Sequence, residues 1–224
     1  MDKLVLFDID GTLIDPAGAG RRSVTRAFYE LFSIEDAFAG ESLAGKTDIQ
    51  IIKEGLVRHN VLAEDGILPS VVSRYIENLQ GEIANPQGRI HPGVVELLDA
   101  LQETEGCRLG LLTGNIERGA RIKLGAFGLS EYFPIGAFGD DSEDRNSLLP
   151  IAVEKLTTLA GVEIRYGDCI VIGDTPLDVA CAKPFGAISV AVATGPYPYE
   201  SLMQTGADYV LRDLSGAMEI IAGI

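Results

Sequence analysis

The chain alternates short, unbroken apolar runs with longer stretches in which apolar residues return every three or four positions. The runs Leu4–Phe7, Leu109–Leu112, Ile135–Phe138, Cys169–Ile172, Ile188–Val192 and Tyr209–Leu211 have strand length and predict strands buried on both faces. Most are separated by helix-like segments, the rhythm of a parallel sheet in an α/β domain. After Pro92-Gly93, for example, Val94, Leu97, Leu98 and Leu101 fall on one helical stripe. One interval breaks the rhythm. Between Asp15 and Gly88 almost no strand-like run occurs, and helical periodicity covers Arg21–Phe32, Asp48–His59 and Pro69–Ile83. The pattern predicts a helical insert after the first strand, hinged at Pro16 and at Asn85-Pro86-Gln87-Gly88.

The expected organisation is an α/β, Rossmann-like parallel sheet core formed by residues 1–15 and 89–224, with an inserted α-helical cap domain over residues 16–88. Ligands of such sheets bind beyond the carboxyl ends of the strands. The first strand ends Phe7-Asp8-Ile9-Asp10-Gly11-Thr12. Two carboxylates two positions apart can face one crevice: Asp8 as a nucleophile toward phosphorus and Asp10 as a proton donor and acceptor. Plain turn chemistry accounts for the same residues about equally well. A calcium loop fits less well, because its Gly belongs two positions later and Ala19 stands where its closing Glu should be.

A second strand ends Leu112-Thr113-Gly114-Asn115, where a hydroxyl and backbone N–H groups can meet phosphate oxygens; Asn115 is also a plausible helix cap. A third ends Gly173-Asp174-Thr175-Pro176-Leu177-Asp178. Asp174 would add a carboxylate to an oxygen-rich site suited to magnesium, and Asp178 falls at the capping-box position. The loop Gly139–Asn146 is acidic except for Arg145, which either compensates the clustered carboxylates or pairs with Asp144 at the surface.

Composition adds bounds. The 224 residues are 46% hydrophobic and carry a net charge of −15, which disfavours nucleic-acid and anionic-membrane partners. An acidic protein that receives a phosphate ester needs a local cation. The three cysteines, Cys107, Cys169 and Cys181, have neither zinc nor disulfide-framework spacing, which fits a cytoplasmic location. The apolar run before Asp8 is too short for a signal peptide or a membrane span.

In this order, the segments Leu4–Thr12, Leu111–Asn115 and Ile170–Asp178 resemble the haloacid dehalogenase-like hydrolase superfamily, and among its members the phosphoglycolate phosphatase-like ones with a helical cap. The resemblance implies a Mg²⁺-dependent hydrolysis of a small phosphorylated metabolite. Asp8 is then the nucleophile that carries an aspartyl-phosphate, and Asp10 the acid/base. Thr113, with Gly114 and Asn115, binds the phosphoryl group. Asp174 holds the metal with the Asp8 carboxylate and the Asp10 backbone carbonyl, and Asp178 supports it directly or from behind. The family usually places a lysine where this chain has Arg145-Asn146; Arg145 is preferred over Lys155 and Lys183 for that charge. Lys46, in a cap loop, is expected to meet an anionic part of the substrate, though a solvated lysine is as good a reading. Arg21 and Arg22 read as surface residues, and neither His59 nor His91 is given a catalytic role.

Other readings share these residues. A sugar phosphomutase would return the phosphoryl group to its substrate. A phosphonate hydrolase would need a Schiff-base lysine in the cap, Lys46 or Lys53. A dehalogenase would need neither Asp10 nor a metal. A non-catalytic binding protein could retain the fold without the reaction. Oligomeric state is left open.

Overall fold

The structure is a computed structural model that describes residues 2–62 and 64–223. The chain begins with β1 (Lys3–Phe7) and the short β2 (Ile14–Asp15). The helices α1 (Ala19–Phe32), α2 (Asp48–Arg58) and α3 (Ile67–Glu82) follow, then β3 (Arg89–Ile90). From there helix and strand alternate: α4 (Val94–Glu103), β4 (Cys107–Leu112), α5 (Glu117–Ala126), β5 (Gly136–Ala137), α6 (Leu148–Ala160), β6 (Cys169–Gly173), α7 (Pro176–Ala182), β7 (Ile188–Val192), α8 (Tyr199–Leu202), β8 (Tyr209–Leu211) and α9 (Ala217–Gly223).

Among the described residues the main sheet has six strands in the order β5-β4-β1-β6-β7-β8, and every pairing in it is parallel. β1 is central because it is apolar on both faces. Successive side chains of a strand point to opposite sides. Val5 and Phe7 therefore join Leu109, Leu111, Ile170 and Ile172 against α4 and α5, while Leu4 and Leu6 join Leu112 and Val171 against α6 and α7. The helical insert has its own core, in which Phe28, Ile52, Leu56, Val71, Ile76 and Leu79 pack together.

Two details differ from the sequence expectation. The strand expected over Ile135–Phe138 is reduced to Gly136–Ala137, although Ile135 and Phe138 stay buried. The chain also enters and leaves the insert through an antiparallel ribbon that the apolar pattern did not predict. In it Ile14 pairs with Ile90 and Asp15 with Arg89, and the Arg89 guanidinium lies 2.9 Å from the Asp15 carboxylate. Two-residue strands are too short to show a periodicity.

The sheet order places the ends of β1, β4 and β6 side by side. Gly11 makes the turn after Asp10 with φ at +85°, a conformation that favours glycine. A Cβ there would lie 2.4 Å from an Asp174 carboxylate oxygen, so the residue also gives that carboxylate its room.

Candidate active site

Asp8 leaves β1 with its N–H donated to Ile172 O of β6 at 2.9 Å, which anchors it over the sheet edge. Its side chain is buried beside those of Asp174 and Asp178. These three residues each offer an oxygen, and the oxygens lie within 4.8 Å of one another. Thr12 Oγ1 donates to Asp174 Oδ1 at 3.2 Å. Asp178 is committed twice. Its Oδ2 accepts from the N–H and the hydroxyl of Thr175, at 2.9 and 2.7 Å, which closes the capping box of α7. Its Oδ1 accepts from Arg145.

Arg145 opens a short 3-10 turn, and Asp144, the surface partner considered for it, accepts the Asn146 N–H at 3.0 Å instead. The arginine turns inward and is 6% exposed. Its Nη2 lies 3.3 Å from Asp8 Oδ1 and also donates to Asp178, while Nη1 donates to Gly45 O of the insert at 3.1 Å. The two rival lysines are elsewhere. Lys155 binds Asp141 at 2.6 Å, and Lys183 donates to Thr205 O at 2.6 Å.

One guanidinium cannot balance three buried carboxylates. Burial pushes the Asp8 carboxyl up to about 6, against the pull of Arg145. Burial, with Asp178 and Asp8 adding repulsion, holds Asp174 well above the usual carboxylate range. Burial works against the charge of Arg145, but Asp178 and Asp8 outweigh it and raise its pKa. A cluster of carboxylate oxygens short of positive charge is the donor set that hard divalent cations take.

Asp10 faces the other side. Its Oδ2 accepts from Asn115 Nδ2 at 2.8 Å and from Lys123 Nζ at 2.6 Å. Thr113 Oγ1 accepts from Asn115 Nδ2 at 2.8 Å and from the Asn115 N–H at 3.3 Å. Asn115 is not the helix cap; Ile116 holds that position, and its N–H is taken by Asp48 Oδ2 of the insert at 3.0 Å.

The insert is seated closely on these loops. Asp48 N–H donates to Gly114 O at 2.7 Å and Thr47 Oγ1 to Glu143 O at 2.9 Å. A Cβ at Gly114 would meet Lys46 O at 2.2 Å and Thr47 Cα at 3.0 Å, both backbone atoms that cannot swing aside. Gly114→Ala is therefore expected to hold the insert off the core and to lower kcat/KM by roughly 10²-fold, as displacements near 1 Å do. Steady-state kinetics beside a thermal melt checks this; unchanged kinetics would show that this close approach has no part in turnover.

Between core and insert lies a cavity of about 550 Å³, lined by Asp8, Asp10, Asp174 and Arg145 on one side and by Arg21, Val24, Lys46 and Ile51 on the other. Lys46 reaches this cavity, but its ammonium is held by Glu54 at 2.6 Å. Lys53 is paired with Glu143, so both lysines weighed for a Schiff base carry carboxylate partners. Arg22 pairs with Glu82 at 2.6 Å, and Arg21 donates to Phe38 O and Glu41 O.

Sequence reasoning missed Lys123, Asp48 and Thr194, whose hydroxyl donates to Gly11 O at 2.5 Å. For Lys123 a signal existed: it lies on the stripe Ile116, Gly119, Ala120, Lys123, Leu124, where an apolar residue is expected.

The parallel α/β sheet with its inserted helical unit thus gathers carboxylates at the ends of β1 and β6, facing a cavity shared between core and insert. The haloacid dehalogenase-like hydrolase family matches residues 3–186, and the chain belongs to that family. It is 29% identical over 221 residues to a phosphoglycolate phosphatase of Rhodospirillum rubrum, covering 96% of this chain and 89% of that protein. In fold it is similar to a predicted phosphatase from Clostridium acetobutylicum, with a TM-score of 0.74 and 23% identity over the whole of both chains. It is also similar to CbbY from Rhodobacter sphaeroides in complex with phosphate, with a TM-score of 0.73 and 18% identity over 96% of each chain. The enzyme class expected from the sequence, a phosphatase, is the class that the Rhodospirillum rubrum and Clostridium acetobutylicum proteins carry in their names. Among the described residues no helix is long and apolar enough to cross a membrane.

Proposed function

We propose that the chain is a Mg²⁺-dependent phosphatase that hydrolyses a small phosphomonoester through an aspartyl-phosphate on Asp8. The observation that carries this is the meeting of the Asp8, Asp174 and Asp178 carboxylates around a single buried guanidinium, that of Arg145. Asp8, Asp174 and the backbone carbonyl of Asp10 would hold Mg²⁺, with Asp178 fixing Arg145 and the start of α7 behind them. When bound, Mg²⁺ would supply positive charge against the phosphoryl oxygens and against the crowded carboxylates.

The chain's own residues then divide the work. An Asp8 oxygen attacks phosphorus while the bond from phosphorus to the ester oxygen breaks. Asp10 gives its proton to that departing oxygen, and the alcohol leaves. Asp10 next takes a proton from water as the water oxygen bonds to phosphorus. The bond from Asp8 to phosphorus breaks, inorganic phosphate is released and the Asp8 carboxylate is restored. Thr113, Gly114 and Asn115 hold phosphoryl oxygens, Arg145 balances their charge, and the insert closes the cavity against water. The free thiols Cys107, Cys169 and Cys181 fit a reducing, cytoplasmic setting.

The test is a screen of phosphorylated metabolites with and without Mg²⁺, phosphoglycolate first because the Rhodospirillum rubrum relative is named for it. Turnover is expected to stop in excess EDTA and to return when Mg²⁺ is restored. Full activity with EDTA, at a metal content verified as zero, would end this reading.

A further inference from the structure

Lys123 is buried to 3% exposure on α5, on a stripe where the neighbouring buried positions are Gly119, Ala120 and Leu124. Taking an ammonium out of water is costly unless its hydrogens find acceptors. Those acceptors are Asp10 Oδ2 and Asn115 Oδ1, each at 2.6 Å. Asn115 Nδ2 closes the triangle by donating to the same Asp10 oxygen at 2.8 Å. The orientation of the Asn115 amide follows from the chemistry: an ammonium can only donate, so Asn115 turns its oxygen to Lys123 and its Nδ2 to Asp10.

The remaining surroundings of Lys123 come from the insert. Asp48 of α2 acts on it as a charge, and Tyr75 of α3 is hydrogen-bonded to Asp48. Gly20 of α1 lies against it: a Cβ there would be 3.3 Å from Lys123 Nζ and 3.8 Å from the Tyr75 hydroxyl. The consequence for Asp10 is asymmetric. Its Oδ2 is held twice, whereas its Oδ1 is buried and has no partner. A carboxyl group held twice at one oxygen has its plane and direction fixed.

We propose that Lys123 is a positioning residue for the acid/base step: with Asn115 it grips Asp10 by Oδ2 and fixes the plane and direction in which that carboxyl meets the leaving group. This rests on the reading of Asp10 as the acid/base. Lys123 acts through Asp10 and forms no bond to the reacting atoms. Stability alone does not require a lysine there, because an apolar side chain of similar length would fill the same space without a buried charge.

The experiment measures kcat/KM of the Mg²⁺-loaded enzyme for an alkyl phosphate and for 4-nitrophenyl phosphate, whose leaving group needs little protonation. Wild type, Lys123→Met, Asp10→Asn and the double variant are compared, with a melting curve for each. Asp10→Asn is expected to lose roughly 10²- to 10⁴-fold on the alkyl ester and much less on the aryl ester. Lys123→Met is expected to lose about tenfold or more on the alkyl ester, little on the aryl ester, and nothing further in the Asp10→Asn background. Lys123→Gln, which keeps an N–H donor, is expected to recover part of the loss, and it carries the comparison if the Met variant folds poorly. Equal losses on both esters, or losses that multiply in the double variant, overturn the role of Lys123 while Asp10 still discriminates between the esters. If Asp10→Asn itself treats the two esters alike, the acid/base reading fails, and the role of Lys123 with it.

Discussion

Replacing Asp8 by Asn is expected to abolish turnover and to leave a protein as stable as the wild type or more so when metal-free. Asn has the same shape, but its amide does not attack phosphorus, and no neighbouring carboxylate can replace it. Asp174 is engaged by Thr12, and Asp178 is bound to Thr175 and Arg145. The stability half follows from the direction of the Asp8 shift. Burial raises its pKa to about 6 from 3.8. A raised folded pKa means that the neutral form is favoured by folding. That stabilisation is complete below the unfolded value and is lost as pH rises through about 6. At pH 7.5 without metal, the ionised Asp8 thus opposes folding, and Asn removes that charge from the cluster. Rapid-quench labelling should find phosphate on Asp8 in the wild type and none in Asp8→Asn. In H₂¹⁸O, attack of water at phosphorus should leave the Asp8 oxygens unlabelled. Turnover that persists in Asp8→Asn, with the asparagine verified intact, would mean that water attacks the substrate directly.

What the sequence shows of this site depends on where a residue lies relative to punctuation. Asp8, Thr113 and Asp174 each follow an apolar run directly, so a parallel sheet places them at one edge before any contact is known. Asp178 was legible as a cap, and it fills that position while also holding Arg145. Arg145 was selected only by its order along the chain. The triple grip on Gly45, Asp8 and Asp178 is a product of folding, because those residues lie far from it in sequence. Lys123 was not read at all. It stands in the last turn of α5, away from any strand end, and its partner Asp10 is 113 positions away. The ribbon at Ile14–Asp15 and Arg89–Ile90 escaped notice because two residues carry no period. Lys46 was visible as a cation near the cavity, but the Glu54 that takes its charge lies two turns along α2, on a face that loop position alone does not reveal.

Arg145→Ala is expected to lower kcat/KM by three orders of magnitude or more and to destabilise the metal-free protein. Removing one member of a buried, hydrogen-bonded charge group costs about 3–5 kcal/mol, chiefly because the partners are left charged and unpaired. Here the partners are Asp8 and Asp178, with Asp174 beside them, so the penalty is of that size and not that of a surface pair. For a chain of this length such a loss lowers Tm on the order of 10 °C. Mg²⁺ at millimolar concentration should raise the Tm of Arg145→Ala more than that of the wild type, since the cation then meets a cluster with one positive charge fewer. The catalytic loss should persist even when the metal has restored the fold, because the transferring phosphoryl group still lacks its fixed counter-charge. Arg145→Lys should recover a substantial part of the activity through its charge, but not all of it. A single ammonium on a flexible stem cannot span Gly45 O, Asp8 and Asp178 with the planar reach of a guanidinium. Melting curves across a Mg²⁺ titration, paired with kinetics at saturating metal, separate the two effects. Activity near wild type in Arg145→Ala would remove Arg145 from the mechanism. A larger loss in Lys155→Ala or Lys183→Ala, with the fold intact, would move the charge to that lysine, against the distances at which Asp141 and Thr205 hold them in this structure.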